Sequence, residues 1–295
     1  MNYFLMLLSV SASTTKSLLS KKLNAVGNCR YGLALSNSLI FSSALAGILL
    51  FAVLTGFGGI SPLTVFLSLL YACAITAAQL LYMEALGCGA VSVTAFIYAC
   101  GFLLPTAAGV LFWHEALTVT KAAGTLLLLL AFFLIVRNPK KAGQAGETQS
   151  GAGLKWKLCS FGAMTMSGVL GILQKVHQTS AYKGELNSFL VLALSGALFL
   201  SLLLAFLFRG ERENVVFTKG LTTAALICGV IFGGANILNL KLSGLVPATV
   251  QFPLVNGGTI ILTAVMGRIV YRERLTWLKR AGILVGILAI YIISR

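Results

Sequence analysis

The side chains best suited to chemistry are polar groups set inside long apolar runs: Gln79, Tyr82, Tyr98, Asn236, Asn239, Gln251 and Asn256. Amides and phenols offer hydrogen-bond donors and acceptors without a formal charge, which suits them to holding a polar solute. A polar group in an apolar helix costs free energy unless it faces a cavity or a partner helix. Gln79 and Tyr82 are three residues apart, as are Asn236 and Asn239, so each pair shares one helix face. The two pairs also recur at equivalent places, at an offset of 157, as a symmetric central site requires. The competing reading is that Asn and Gln staple helices together while Ser and Thr bond their own backbone.

Two lysines and two glutamates add charge. Lys16 and Lys175 each close an apolar segment bearing Ser, Thr or Gly. A lysine so placed either snorkels to the headgroups or faces a cavity, where it binds a carboxylate or phosphate or acts in gating. Glu115 and Glu273 follow later apolar segments, and each precedes a threonine, Thr118 or Thr276, placed to cap the next helix. These glutamates read as loop structure or as latches of a gate. No carboxylate falls in the middle of an apolar run, which argues against a carboxylate proton relay and against strongly cationic substrates.

Enzyme signatures are missing. There is no HExxH, no Walker loop, no GxSxG and no acidic pair on one helix face. His114 and His177 stand at segment ends and read as interfacial residues. The cysteines have no CxxC spacing and read as small packing residues, leaving no metal site and no cofactor site.

These residues are positioned by a chain that repeats itself. The stretch FWHEALTVTKAAG at 112–124 returns as VYRERLTWLKRAG at 270–282, an offset of 158. Lys16 and Lys175 match at 159. Such self-similarity defines two homologous units, a first repeat over 1–138 and a second over 156–295, joined by a Gly/Lys-rich linker at 139–155. Apolar segments at about 2–20, 32–55, 62–86, 90–112 and 119–137, then 158–177, 186–208, 219–241, 246–268 and 277–294, make ten helices. Pro105, Pro247 and Pro253 are expected to break the fourth and ninth, or the start of the ninth. Gly229-xxx-Gly233 and Gly282-xxx-Gly286 allow close helix approach.

An apolar share of 58% with only 10% charged residues excludes an ordinary soluble domain. Hydrocarbon admits only helices or closed barrels, and runs such as Leu126 to Val136 do not alternate as barrel strands do. The expected fold is therefore an all-α integral membrane protein. Its ten transmembrane helices form two five-helix repeats, inverted because five is odd. The net charge of +15 reads as topology-setting charge beside anionic headgroups and not as a nucleic-acid surface. Lys121, Lys175, Lys183, Lys241 and Arg295 fall on one side and all other basic residues on the opposite one, which places both termini outside.

These features together resemble the drug/metabolite transporter superfamily in its ten-helix EamA type. The resemblance rests on the five-plus-five repeat, on Lys16 and Lys175, and on Glu-x-Leu-Thr followed by Gly at 115–124 and 273–282. At Phe102 and Ile260, where relatives commonly carry proline, this chain departs. The resemblance implies alternating-access movement of a small metabolite, often export of amino acids or related compounds, across the cell membrane. It implies a cavity lined by helices 3, 4, 8 and 9. The expected partners are a solute and the bilayer, with the coupling ion open and a monomer or homodimer. The alternative is a non-transporting membrane sensor or partner subunit.

Overall fold

The computed structural model describes residues 2–23, 30–88, 91–136, 150–214, 219–270 and 276–294. Those residues are mostly helical, with no strand among them. The helices are α1 (Asn2–Leu23), α2 (Arg30–Thr55), α3 (Pro62–Cys88), α4 (Val91–Ala99), α5 (Leu103–Phe112) and α6 (Val119–Val136). After them come α7 (Ser150–Thr179), α8 (Leu186–Leu207), α9 (Lys219–Leu245), α10 (Ala248–Val270) and α11 (Trp277–Ile293). Among the described residues, eight helical stretches are long and apolar enough to cross a bilayer, with α4 and α5 counted as one. The chain is an all-α membrane protein. The 17 residues of α11 span about 26 Å at 1.5 Å each, just under the hydrocarbon thickness.

Two local expectations need correcting, and a third holds. Residues 150–155, assigned to the linker, already belong to α7. Its start is tied by an ion pair between Lys155 and Glu84 at 3.0 Å and by the Trp156 indole N–H donating to Thr94 Oγ1 at 2.8 Å. The fourth span is interrupted as expected, by a 3-10 turn at Cys100–Phe102. A proline removes the hydrogen bond to the carbonyl four residues back and crowds it, and for Pro105 that carbonyl is Gly101's, inside the turn. Pro253, by contrast, lies within an unbroken α10. The carbonyl it leaves is that of Thr249, in a first turn already held from outside by Glu115.

The chain forms two compact units. Unit 1 comprises Met1–Thr76 and Leu173–Leu245, and unit 2 comprises Ala77–Ile172 and Val246–Arg295. Neither coincides with a sequence half, because each takes helices from both.

In unit 1, α2 packs on α8 and α9, and α1 packs on α9. The inward faces are small, with Ala44, Ala52, Ala193 and Ala197 fully buried, while Phe66, Phe199 and Phe206 point outward. Lipid is as apolar as leucine, so helix association rests on close packing and not on hiding apolar surface. Gly229 and Gly233 serve that end. A Cβ on Gly229 would overlap Ser43 and the Ile40 carbonyl, and one on Gly233 would stand 3.1 Å from the Ala44 carbonyl.

In unit 2, α6 packs along α11, and α10 packs on α5, α6 and α11. The α6–α11 contact reproduces itself when the helices are exchanged. A Cβ on Gly124 would meet Ile293 at 2.6 Å and the Ala289 carbonyl at 3.2 Å. A Cβ on Gly282 would meet Ile135 at 2.8 Å and the Ala131 carbonyl at 2.9 Å. Gly124 and Gly282, Ala131 and Ala289, and Ile135 and Ile293 are each 158 apart. Glycine near one helix start thus meets the far end of the other, so the two run antiparallel.

Gly124→Leu and Gly282→Leu should each lower stability by about 1–3 kcal/mol through overpacking, and by similar amounts, in unfolding titrations of the purified protein. Gly153→Ala, in a helix position with open space around it, should be neutral or stabilise by up to about 1 kcal/mol. Unequal costs for the two leucine variants would show that the exchange symmetry is not energetic.

Candidate functional site

Unit 1 holds a line of buried polar side chains drawn from three helices. Asn236 on α9 is 6% exposed. Its Oδ1 accepts from the Tyr71 hydroxyl of α3 at 2.8 Å, and its Nδ2 donates to the Phe232 carbonyl one turn back at 2.8 Å. The Tyr71 hydroxyl in turn accepts from Gln174 Nε2 of α7 at 3.0 Å. Asn239, three residues on, accepts at Oδ1 from Ser9 of α1 at 2.6 Å. In a medium without water such bonds carry their full desolvation value.

Both lysines stand in the same unit. Lys175, beside Gln174, is 6% exposed. Lys16 places its ammonium 4.6 Å from the centre of the Phe232 ring, a cation–π distance. Phe232 precedes Asn236 by one helical turn, so Lys16 comes to the side of α9 that bears the amides. Unit 1 therefore brings Lys16, Asn236 and Asn239 to one helix.

Unit 2 holds the remaining sequence candidates. The rings of Tyr82 on α3 and Tyr98 on α4 lie 4.6 Å apart, and Tyr98 shares a hydrogen bond with Ser167 of α7. Gly101 gives α7 room there, since a Cβ on it would stand 2.8 Å from the Met164 carbonyl. Gln79 is half-buried on α3, and Gln251 on α10 is 1% exposed. Asn256 donates to the Phe252 carbonyl of its own helix at 2.9 Å, the local bond expected of a staple-free amide.

Glu115 has a sharply defined place. His114 adopts a left-handed backbone, φ 50, which turns the chain after α5. The Glu115 N–H then donates to the Gly109 carbonyl at 3.0 Å. Its carboxylate accepts from the backbone N–H groups of Ala248 at 2.7 Å and Thr249 at 2.8 Å. A helix start leaves unpaired N–H groups and a partial positive charge, and Glu115 answers both for α10. The caps expected of Thr118 and Thr276 are present, accepting from the N–H of Lys121 and Lys279 at 3.4 Å. Glu273 lies outside the described residues.

Sequence reasoning missed Tyr71 as a bridge between Gln174 and Asn236. Its counterpart at the repeat offset of 157 is Cys228, so no duplicated polar pattern pointed to it. His177, expected at an interface, is fully buried instead.

Amides, phenols and ammonium groups of this kind can hydrogen-bond a polar solute. The fold defines a multi-pass helical membrane protein. Residues 154–295, just under half of the chain, match the model of the EamA-like transporter family, which lies within the drug/metabolite transporter superfamily. Members of this family are membrane transporters of small solutes rather than enzymes. A relative from Haemophilus influenzae, described as an uncharacterized protein, is 26% identical over 194 residues, or 64% of this chain. The chain spans 61% of that relative's length. A crystal structure at 13% identity superposes with a TM-score of 0.77 over 98% of both chains, a likeness of fold.

Glu115→Ala should cost about 1–2 kcal/mol by removing the cap of α10, and Glu115→Gln less, since one acceptor oxygen survives. A Cβ on Gly109 would stand 2.8 Å from the Glu115 carboxylate. Gly109→Ala should therefore destabilise the wild-type chain more than the Glu115→Ala chain, a coupling that a double-mutant cycle of melting curves measures.

Proposed function

We propose that this chain is a secondary transporter of the cell membrane that moves a small polar, neutral-to-anionic metabolite, an amino acid or related organic solute, by alternating access, in the direction of export. The observation that carries the reading is the Gln174–Tyr71–Asn236 line in spanning helices of unit 1, with Lys175 beside it. Such groups are costly in lipid and are kept where a pathway needs them. The match of residues 154–295 to the EamA-like transporter family supports transport as the activity. No carboxylate falls in the middle of an apolar run of the sequence, which favours neutral or anionic solutes over cationic ones.

Alternating access in this plan needs two repeats of opposite sense. One contact supports it. The α6–α11 pair, the fifth span of each repeat, is antiparallel and self-exchanging. The basic residues support an outside location for both termini. Gln79, Tyr82, Tyr98, Asn236, Asn239, Gln251 and Asn256 are the proposed solute contacts, with Lys16 and Lys175 as charged groups of the route.

In proteoliposomes, radiolabelled amino acids, sugars, nucleobases and organic anions should include at least one that is taken up and that also raises the melting temperature. Binding to the folded state alone stabilises by about 2.7 kcal/mol at a hundredfold excess over Kd. Asn239→Ala, combined with Ser9→Ala so that no hydroxyl is stranded, should abolish that uptake while the protein still melts cooperatively. Unchanged uptake would remove Asn239 from the site. A panel that gives neither flux nor thermal shift would favour a sensor or partner subunit.

A further inference from the structure

Near the end of α7 lies a second polar cluster that the transport reading leaves unused. His177 is fully buried in unit 1, with its ring 4.5 Å from that of Phe189 on α8. Both ring nitrogens are engaged. Nε2 lies 3.2 Å from Thr64 Oγ1 on α3, and Nδ1 lies 3.1 Å from Gln178 Nε2. The same Gln178 nitrogen donates to the Lys183 carbonyl at 3.4 Å, in the short turn between α7 and α8.

The partners fix where the protons are. An amide nitrogen is a donor only, so Nδ1 presents its lone pair to Gln178. Nε2 then carries the hydrogen and donates to Thr64. The Thr64 hydroxyl passes its own hydrogen to the Glu185 carboxylate, which also accepts from the Ser61 hydroxyl at 2.8 Å and the Ser61 N–H at 2.9 Å. This sequence of bonds places an anion behind a neutral imidazole, with one hydroxyl between them.

The other charged groups nearby are basic. Lys175 stands two residues earlier on α7. Lys183 reaches the cluster through its carbonyl. Lys241 of α9 points its ammonium at the Phe51 ring of α2, 5.6 Å away. The start of α3 and the residue before it offer the hydroxyls of Thr64, Ser68 and Ser61, α8 offers Phe189, and the turn before α8 offers Glu185. Glu185 is the carboxylate that faces His177.

We propose that His177 is a proton-binding site, taking its proton at Nδ1, and that taking it releases the turn between α7 and α8. The added proton occupies the Nδ1 lone pair, and no covalent bond breaks. A protonated Nδ1 and the Gln178 amide nitrogen are both donors, so the amide must turn over and accept through Oε1. Its nitrogen then leaves the Lys183 carbonyl, and that tie between the turn and α7 is lost. Glu185, through Thr64, stabilises the charged ring and holds its orientation.

The chain has two histidines, which makes the test direct. His114→Asn suits the left-handed backbone at that position and leaves His177 as the remaining imidazole. Full-length protein with 15N-labelled histidine, in phosphatidylcholine nanodiscs, is followed by NMR from about pH 8.5 to about pH 5, the range in which histidine titrates. The expected spectrum at high pH has a protonated Nε2 and a bare Nδ1, and acid converts it to a doubly protonated ring.

Glu185→Gln should lower the ring's proton affinity by about tenfold or more, the scale of losing a nearby opposite charge. Gln178→Glu, an acceptor that needs no turning, should raise it. Amide hydrogen exchange at residues 180–186 should quicken at least several-fold once the ring is charged. A ring that keeps one proton across the whole range, a bare Nε2 at high pH, or an unchanged midpoint in Glu185→Gln would overturn the assignment. Exchange indifferent to the ring's charge would overturn the release of the turn. The labelled spectrum of the His114→Asn protein decides the first two outcomes even if neither other variant folds.

Discussion

Within hydrocarbon there is no water to take up a stray hydrogen bond, and most of this architecture answers to that shortage. A helix pairs its own backbone except at its ends and wherever a proline intrudes. Serines and threonines in the spans return their hydroxyls to carbonyls one turn back, as Ser36, Ser38, Thr106 and Thr165 do. Larger polar side chains cannot do so as cheaply and must find one another. The result is a few crowded polar meeting points set among alanine and glycine.

Glu115 shows the same constraint at a helix end. Two backbone N–H groups of α10 would otherwise stand unpaired behind Pro247, and one carboxylate from the loop after α5 takes both. Because Gly109 carries no side chain, the carboxylate can lie against α5 itself. A charged group is thus spent on holding a helix start, and the end of α5 is bound to the beginning of α10. The glycines of α6 and α11 deal with the complementary problem of attraction between surfaces that lipid would wet equally well. Contact at backbone distance supplies dispersion energy where hydrophobic burial supplies little.

Much of this was legible in the sequence. Span limits followed from apolar length alone, since the start of α6, α8 and α11 and the end of α2 fall where the composition turns. The threonine caps and the close-packed glycines were also readable, because each depends on local spacing. What escaped depends on neighbours distant in the chain. Pro105 and Pro253 look alike in sequence, and only the external hold on the first turn of α10 separates their effects. Tyr71 reads as one more aromatic in an apolar run until Gln174 and Asn236 are brought to its hydroxyl. His177 near a segment end reads as interfacial, yet Thr64, Gln178 and Phe189 enclose it. Glu115 was placed in the right loop, but nothing in its spacing named Ala248 and Thr249 as its partners.

The 3-10 turn at Cys100–Phe102 also sets azimuth. Each residue of such a turn advances about 120° around the axis instead of about 100°, so three of them add up to roughly 60° of extra winding. Tyr98 and Gly109, eleven residues apart, would sit almost in line on an uninterrupted rod. With the overwound turn between them they point in directions separated by nearly a quarter revolution. The half of this rod that meets Tyr82 and the half that meets Glu115 therefore look toward different neighbours, and a helical wheel drawn through both would assign them to a single stripe that the protein does not possess.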